Sequence, residues 1–458
     1  MTHSLERAIP TPPEPPAPAP DGTPRKPQSM KRVATASFIG TVIEFYDFNI
    51  YGVAAALVFP KVFFPALGPV AGIVASFATL GVAFVARPFG SILFGHFGDR
   101  LGRKQTLIVT MLLMGVSTLL VGLMPTSATI GVAAPVLIVL LRVLQGLAAG
   151  GEWGGAVLFA SENASKERRG FWSMFPSFGG GIAIILANAT FFATAVGMSD
   201  DAFVAWGWRL PFLASILLIA VGLWVRLSIA ETPVFQKQAE DMGVARTPFL
   251  DAFRTQPGQI LLATGATTMT LSLTYVGGTY LTNYGTTVLG LSRPSVLAVA
   301  VLSGVAISVA VVLGAMLSDR IGRRRTIVSV ASVAIVWTLV LFPILDTRSL
   351  AAFAVGAPVT LFISGLATGP LGAFLSELFH TRYRYTATGL SYSLAGMLGG
   401  AVPPLIAGPV ISAWGGFAFG VLLALVALMS LVCVLVIGET RHRDLDAVQP
   451  DSTASTRR

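Results

Sequence analysis

Runs of about 20 apolar residues recur along this chain of 458 residues, between residues 33 and 438. A helix of that length crosses the hydrocarbon core of a lipid bilayer. Only 12% of the residues are charged, whereas soluble proteins carry about 25%. A water-soluble core cannot bury so much apolar surface. The sequence therefore predicts an all-α membrane protein, and we count twelve transmembrane helices.

Two loop sequences occur twice. GHFGDRLGRK (95–104) returns as GAMLSDRIGRRR (314–325), and SENASKERRG (161–170) returns as SELFHTRYRYTATG (376–389). This predicts two six-helix pseudo-repeats with a substrate site between them, near the middle of the bilayer. The predicted division is a disordered Pro-rich cytoplasmic tail (1–30), an N-terminal six-helix half (31–229), a cytoplasmic linker (230–257), a C-terminal six-helix half (258–438) and a cytoplasmic tail (439–458).

The positions of lysine and arginine predict the orientation. With a cytoplasmic N-terminus, 25 of the 31 basic residues fall in cytoplasmic segments, and only Lys61, Arg209, Arg293 and Arg348 fall in outer loops. Membrane proteins carry their excess of basic residues on the cytoplasmic side. We therefore expect both termini in the cytoplasm. The net charge of +9 then reflects topology, and we expect no nucleic-acid partner.

Five charged residues lie deep within the predicted spans: Glu44, Asp47, Arg87, Arg142 and Glu152. Charges in a membrane are costly, need partners and often mark a transport pathway. From the helical rise, Glu44, Asp47 and Arg142 fall near one level, and Arg87 and Glu152 lie nearer the cytoplasm. We therefore expect Asp47 or Glu44 to pair with Arg142, and Arg87 to pair with Glu152.

Other polar residues flank these charges. Gln145 shares a helical face with Arg142 and Glu152, and Tyr51 lies one turn beyond Asp47. The C-terminal half has no charge within its spans and offers hydroxyls and rings instead; Thr274, Tyr275 and Tyr280 are the candidates from its first span. A single such threonine usually bonds a neighbouring helix. As a cluster, these groups suit a substrate with hydroxyl or carboxylate oxygens.

Several motifs occur together and in order: EFYDFNIYG (44–52), ARPFG (86–90), QGLAAGGEWGGA (145–156), WGWRLPF (206–212) and AETPVF (230–235). With the repeated G-x-x-x-D-R-x-G-R-[KR] loop, the chain resembles the metabolite–proton symporter family of the major facilitator superfamily over residues 33–440. The family includes transporters for shikimate, α-ketoglutarate, citrate, and proline or glycine betaine. The loops resemble most the shikimate-transporter branch.

The resemblance implies a cytoplasmic gate in which the repeated loops bond across the two halves when the inner side is closed. The residues that match this gate are Gly95, Asp99, Arg100, Gly102, Arg103, Glu162, Asp319, Arg320, Gly322, Arg323, Glu377 and Arg382. They would control access and would not bind substrate.

The predicted function is import of a small organic acid with protons by a multi-pass protein of the bacterial inner membrane. Asp47 is the first candidate for the proton carrier and Glu44 the second; Arg142 and Arg87 are candidates for the substrate anion. Symport of a zwitterionic osmolyte is the alternative, and an exporter or a membrane-embedded sensor is less favoured. With one cysteine, Cys433, and four dispersed histidines, we expect no enzyme activity, cofactor or metal site. We expect a monomer that meets only its small-molecule substrate, protons and lipid.

Overall fold

The computed structural model of the protein describes residues 30–101, 103–227 and 253–441, together with residues 443 and 445. The predicted tail up to residue 29, the linker from 228 to 252 and most of the chain beyond 441 lie outside the described residues.

The described chain is built from long helices. In the first part these are α1 (Met30–Leu57), α2 (Gly68–Leu101), α3 (Arg103–Leu123), α4 (Ala133–Asn163), α5 (Phe175–Gly197) and α6 (Leu210–Leu227). In the second part they are α7 (Pro257–Tyr275), α8 (Arg293–Ile321), α9 (Arg323–Leu345), α10 (Leu350–Ser376), α11 (Arg384–Ala395) and α12 (Val402–Ile437). Short helices at Phe59–Val62, Ser127–Ile130, Arg169–Ser173, Asp200–Ala205 and Leu281–Thr287 connect or extend them.

Ten helical segments among the described residues are long and apolar enough to cross a membrane. The last of them runs without a break from Arg384 to Ile437, 54 residues, and turns sharply at Gly415, where φ is 81°. A positive φ is accessible to glycine at no steric cost, so two helices meet at a kink there within one continuous apolar stretch. Helix α1 is not among the ten, because Glu44, Asp47 and other polar residues lower its hydropathy.

Two of the helices contain a π-helical turn. One joins α7 to Leu281–Thr287 at Val276–Tyr280, and the other joins α11 to α12 at Gly396–Ala401. Each contains a pair of adjacent glycines, Gly277 and Gly278 or Gly399 and Gly400. Such turns mark places where a helix bends, and they are frequent at functional sites.

Glycines allow the helices of the first part to pack closely, as their fourfold spacing in α4 predicts. A Cβ atom at Gly146 would overlap the carbonyl of Ala83 in α2, and one at Gly150 would overlap the carbonyl of Arg87. Farther along α4, a Cβ at Gly154 would lie 3.0 Å from the Cα of Gly389 in α11. One glycine face therefore brings α4 against both α2 and α11.

We expect Gly150→Ala to destabilise the protein, because the added methyl group has only backbone to displace. Overpacking of this kind costs about 1–3 kcal/mol. The midpoint of thermal unfolding in detergent, followed by size-exclusion chromatography, should fall clearly for Gly150→Ala. Gly81→Ala is the matched control, because nothing lies within 4 Å of its added Cβ. Equal midpoints for the two variants would contradict this account of α4.

Candidate functional site

A small cavity lies between helices of the first and second parts of the chain. Its volume is about 40 Å³, close to the ~30 Å³ that one water molecule occupies in the liquid. Asn49 of α1 and Trp153 of α4 face Thr274 and Tyr275 of α7 and Tyr392 of α11 across it. Thr274 and Tyr275 were predicted candidates. Asn49 and Trp153 were missed, because an isolated amide or indole in an apolar span makes no pattern.

Aromatic rings join the two sides of this cavity. The rings of Trp153 and Tyr392 stack with centroids 3.6 Å apart and planes 9° from parallel. The rings of Phe84 and Tyr275 meet edge to face, with centroids 4.7 Å apart. Each pair connects a residue of the predicted N-terminal half with one of the predicted C-terminal half. The cavity therefore has aromatic walls, with hydroxyl and amide groups between them.

Two arginines enclose one ring of α1. The guanidinium carbons of Arg87 and Arg142 lie 4.1 Å and 4.5 Å from the centroid of the Phe48 ring. Both arginines are no more than 2% exposed. An aromatic face attracts a buried guanidinium without a counter-ion in contact. Phe48 thus holds two positive charges beside Asp47, the residue that precedes it in α1.

Arg142 lies within the N-terminal part. It donates a hydrogen bond of 2.8 Å to the side-chain oxygen of Gln145, and Gln145 donates one of 2.8 Å to the hydroxyl of Thr118. Its guanidinium also covers the Tyr51 ring at 3.8 Å. The Tyr51 hydroxyl in turn donates to Thr79. The predicted candidates Gln145 and Tyr51 therefore support Arg142, and neither lines the cavity.

Arg87 is directed toward the C-terminal part. Its second ring contact is with Phe84, at 4.9 Å, and Phe84 meets Tyr275 of α7. Its Nη1 atom is 3.8 Å from the position of a Cβ on Gly396, in the π turn that follows α11. Of the two arginines, Arg87 is therefore the one at the edge of the cavity.

The two acids of α1 have different neighbours. Glu44 is buried, at 2% exposure, and the residue after it, Phe45, lines the cavity. Asp47 is fully buried, and Thr118 and Glu152 are its polar neighbours inside the N-terminal part. Both carboxylate oxygens of Asp47 are buried without a hydrogen-bond partner in the described structure. Asp47 is thus enclosed among helices α1, α3 and α4, where the neighbouring Thr118 hydroxyl donates to the Met114 carbonyl at 3.0 Å.

Of the two acids expected to pair with Arg142, Asp47 makes no hydrogen bond to it, and pairing of Glu44 with Arg142 stays a prediction. The described atoms of Asp47 accept no hydrogen bond, and the Arg142 guanidinium uses Gln145 and two rings instead. Thr118 lies beside Asp47 and accepts a hydrogen bond from Gln145, so it connects Asp47 with the group that binds Arg142. Glu152 accepts a hydrogen bond of 3.5 Å from Thr110; its pairing with Arg87 stays a prediction.

Of the candidate residues from the C-terminal half, some line the cavity and others pack between helices outside it. The Thr274 hydroxyl lies 2.7 Å from that of Ser364 in α10, and Ser364 also donates to the Thr270 carbonyl. Tyr280 lies outside the cavity, where its ring packs beside Tyr284 and Phe419. The hydroxyls of α7 therefore serve helix contacts as well as the cavity, as expected for threonines in lipid.

A second polar cluster closes the predicted cytoplasmic side. Glu377 contacts Arg169 at 3.3 Å and Arg323 at 3.4 Å, and Glu162 contacts Arg384 at 3.4 Å. Asp319 pairs with Arg323 at 2.6 Å. It also accepts hydrogen bonds from the backbone N–H groups of residues 170 and 171. Charges from both parts of the chain thus meet here, and several are fully buried.

The remaining predicted gate residues are partly outside the described structure. Gly102 lies outside it, and so do the side chains of Asp99, Arg100, Arg103 and Arg382. Three more gate residues are described. Gly95 leaves room for Thr386 of α11, since an added Cβ would lie 2.9 Å from its hydroxyl. Gly322 ends α8 with φ of 105°, and Arg320 offers its carbonyl to Arg441.

The chain after α12 adds to the cytoplasmic cluster in a way that the sequence did not reveal. Glu439 accepts the backbone N–H groups of Arg323 and Arg324 at the start of α9, which is a favourable place for a carboxylate. Thr440 donates to Glu377 at 2.7 Å. The carbonyl of Leu445 accepts from Arg384 at 2.9 Å. Only the weak echo of AETPVF (230–235) in GETRHR (438–443) pointed to this segment.

Comparison with known proteins agrees with these features. The family profile of the Major Facilitator Superfamily matches residues 37–404. An inner membrane metabolite transport protein of Escherichia coli (strain K12) is 41% identical over 422 residues, covering 91% of this chain and 96% of the relative. The shikimate transporter of the same organism is 35% identical, covering 90% and 95%. A proline/betaine transporter of Salmonella typhimurium is 29% identical, covering 92% and 86%.

Solved structures have the same fold. A structure of the major facilitator superfamily proton:xylose symporter XylE superimposes with a TM-score of 0.72 at 18% identity, covering 91% of this chain and 97% of the symporter. At this identity the likeness concerns the fold alone, whereas the relatives above match the sequence almost end to end. The chain therefore belongs to the major facilitator superfamily and, within it, to the metabolite–proton symporter family, a family of multi-pass membrane transporters.

Proposed function

We propose that this protein imports a small organic acid together with protons across the bacterial inner membrane. The observation that carries the proposal is the buried group of Asp47, Glu44 and two arginines beside a cavity between the two parts of the chain. In this proposal the chain crosses the membrane twelve times, with both termini in the cytoplasm. The twelve spans are α1, the first nine of the ten apolar segments, and the tenth segment counted as two spans, one before and one after Gly415. It acts as a monomer.

Asp47 is the proposed proton carrier. A carboxylate removed from water without a hydrogen-bond donor is strongly disfavoured in its charged form. Asp47 meets this description, since its two buried oxygens have no partner among the described residues. Glu44 is buried next to the cavity residue Phe45 and is the second candidate. Protonation of Asp47 from the outer side would neutralise its carboxylate. The N-terminal helices could then change conformation without an unpaired negative charge between them.

Arg87 is the proposed anchor for the substrate anion, with Arg142 in a supporting role. Guanidinium groups bind carboxylates in a bidentate manner. Arg87 lies at the edge of the cavity, against the rings of Phe48 and Phe84 and close to the π turn at Gly396. Asn49 and Thr274 would then bind the remaining oxygens of the substrate.

Alternating access would follow from movement of one half against the other. We propose that Glu162, Asp319, Arg323 and Glu377, with the tail that follows α12, hold the cytoplasmic side closed. The π turn of α7 at Val276–Tyr280 gives a hinge for its outer end. The present arrangement, with its cavity of about 40 Å³, would then be a closed state. Opening of the outer or the cytoplasmic side alone would give the substrate access to the cavity.

Loss of the Glu377 charge should weaken this closure. Glu377→Gln keeps the shape but loses both ion pairs of a buried carboxylate, and removing one partner of a buried pair costs about 3–5 kcal/mol. Ser173 is a buried reporter on the same interface, against Gly372. A cysteine at Ser173, in a Cys433→Ala background, should react at least about tenfold faster with a thiol reagent in inside-out vesicles.

The matched control for that measurement is Glu167→Gln, because Glu167 is an exposed acid near the same interface. It should leave the reaction rate unchanged. An unchanged rate for Glu377→Gln as well would contradict the proposed gate. It would leave the proposed substrate untested, because the measurement does not involve transport.

The proposed function itself is tested by uptake into proteoliposomes under an inward proton gradient. The panel is shikimate, α-ketoglutarate, citrate, proline and glycine betaine. We expect an organic acid to accumulate, with alkalinisation of the outer medium at the same time. Accumulation of only the betaine or proline would overturn the organic-acid proposal.

One observation favours the osmolyte as the second candidate. The stacked rings of Trp153 and Tyr392 and the ring of Tyr275 line the cavity, and aromatic faces bind quaternary ammonium groups. In that case the carboxylate of the betaine would still meet Arg87. Competition between shikimate and glycine betaine for uptake separates the two candidates.

A further inference from the structure

The small cavity between the two halves has one wall that the proposed function leaves unused. This wall belongs to α5, whose first residues read FPSFGGGIA (175–183). The α5 residues that line the cavity are Ser177, Gly180, Gly181 and Ile184. Because glycine has no side chain, the backbone forms part of the wall. Among these four residues, Ser177 is the one with a polar side chain.

The hydroxyl of Ser177 is buried without a hydrogen-bond partner in the described part of the chain, and the residue is 7% exposed. Hydroxyls in membrane helices ordinarily donate to a carbonyl one turn earlier, as Thr274 and Thr368 of the same cavity do at 2.9 Å. Of the described residues that line the cavity, Ser177 is the one with a buried side-chain oxygen that lacks such a partner. A buried hydroxyl without a partner is unfavourable, so this position suits a ligand that supplies one.

The contacts of α5 with α10 show which residue lies opposite Ser177. Before the start of α5, Arg169 pairs with Glu377, just past the end of α10, at 3.3 Å. One turn farther along, the carbonyl of Ser173 lies 2.7 Å from the position of a Cβ on Gly372 of α10. Residue numbers rise along one segment while they fall along the other, so the two segments run antiparallel.

One further turn in this register brings Ser177 opposite Thr368. Both residues line the cavity, Ser177 from the predicted N-terminal half and Thr368 from the predicted C-terminal half. No hydrogen bond joins the two hydroxyls, since that of Ser177 has no partner in the described structure. The Thr368 hydroxyl donates to the Ser364 carbonyl, and its oxygen can still accept. A hydroxyl group between them can therefore accept from Ser177 and donate to Thr368.

The surroundings of this position favour an uncharged group. Ile184, Ile307 and Leu371 are apolar members of the lining, and no charged residue is among the described residues that line the cavity. A second carboxylate or an ammonium group here would have no counter-ion in the lining, whereas a hydroxyl needs only a donor and an acceptor.

We propose that Ser177 is a specificity-determining residue, which together with Thr368 binds a hydroxyl group of the substrate. This rests on the proposed function, in which Arg87 binds the substrate carboxylate, and it narrows the substrate to hydroxylated organic acids. A hydroxyl that bridges Ser177 and Thr368 joins the two halves, so it favours the closed state. An acid without this hydroxyl leaves Ser177 buried and unpaired in that state, and the site discriminates against it.

The test uses pairs of acids that differ only in hydroxyl groups. The pairs are shikimate and cyclohexenecarboxylate, malate and succinate, and citrate and tricarballylate, and kcat/KM is measured for uptake into proteoliposomes under an inward proton gradient. We expect the best substrate of the unaltered protein to be a hydroxylated acid, preferred over its partner by at least about a hundredfold. Ser177→Ala should reduce that preference at least about tenfold, because the hydroxylated acid loses a hydrogen bond and its partner no longer leaves a hydroxyl unpaired.

Ser173→Ala is the matched control. The Ser173 hydroxyl is likewise buried without a partner in the described structure, but Ser173 is not among the residues that line the cavity. Its loss should leave the preference unchanged. Ser177→Ala removes no hydrogen bond of the described structure, so its midpoint of thermal unfolding without substrate should equal that of the unaltered protein. Thr368→Val, which keeps the shape but removes the acceptor, should reduce the preference as Ser177→Ala does.

An unchanged preference in Ser177→Ala, or an equal change in Ser173→Ala, would overturn the role of Ser177. Preference of the unaltered protein for an acid without a hydroxyl group, such as succinate or α-ketoglutarate, would also overturn it and leave the proposed import of an organic acid standing. Accumulation of only proline or glycine betaine would reject the proposed function, and the role of Ser177 with it.

Discussion

Replacement of Asp47 by asparagine is expected to abolish accumulation of the substrate against its gradient. Asparagine has the shape of a protonated aspartate but cannot release a proton. One charge moved through 100 mV is worth ~2.3 kcal/mol, roughly a fiftyfold accumulation. In energised proteoliposomes the ratio of internal to external substrate should therefore fall to about 1 for Asp47→Asn. Exchange of labelled for unlabelled substrate, which needs no net proton movement, should continue.

Glu44→Gln is the matched control, because it removes the other acid of the same helix. It should reduce the rate of uptake, since Glu44 is buried next to the cavity residue Phe45, but leave accumulation driven by protons. The opposite pattern, with accumulation lost in Glu44→Gln and kept in Asp47→Asn, would exchange the roles of the two acids. Loss of exchange in Asp47→Asn would show that the residue is needed for movement itself.

The structure suggests how the state of Asp47 would reach Arg142 without a direct pair. Thr118 lies beside Asp47 and accepts a hydrogen bond from Gln145, which accepts one from Arg142. A charged Asp47 would attract the Thr118 hydroxyl and so disturb the hydrogen bonds that connect Thr118, Gln145 and Arg142. Uptake and release of a proton would thereby change the support of Arg142, and with it the position of the Phe48 ring that Arg87 shares.

The sequence drew attention to the charged residues beside this cavity because charges are rare within apolar spans. It could not identify their contacts. Depth along a helix follows from the rise per residue, but the direction of each side chain also depends on the rotation of the helix. Glu44 and Asp47 are three residues apart, which leaves about 60° between their directions. That angle is enough to give the two carboxylates different neighbours, and Asp47 lies beside Thr118.

Features of the backbone were harder still to predict. The repeated loops and the apolar runs predicted helices where the structure has them, and the glycine spacing of α4 predicted close packing. The π turns at Val276–Tyr280 and Gly396–Ala401 follow from tertiary contacts that no local pattern encodes. The contact of Leu445 with Arg384 uses a backbone carbonyl, which any residue type supplies.

The second large effect is expected for Arg87. Arg87→Gln should raise the substrate concentration for half-maximal uptake by a factor of roughly 30 to 5,000, since loss of one partner of a buried charge pair costs about 2–5 kcal/mol. Arg87→Lys should recover only part of the lost affinity. An ammonium group cannot bind a carboxylate with two parallel hydrogen bonds, and it cannot stack on an aromatic ring as a planar guanidinium does. Equilibrium binding of the same acid to the purified variants checks that affinity has changed.

Arg142→Gln is the control that separates the two arginines. Both guanidinium groups lie on the Phe48 ring and are buried, so loss of either removes a similar ring contact and a similar charge. Arg87 lies against Phe84, whose ring meets that of the cavity residue Tyr275, while Arg142 is held by Gln145 and Tyr51. Arg142→Gln should therefore lower the thermal stability and the maximal rate, with affinity within about tenfold of the original. If instead Arg142→Gln abolished binding and Arg87→Gln preserved it, the anion would have to bind inside the N-terminal half, and the role proposed for Arg87 would be wrong.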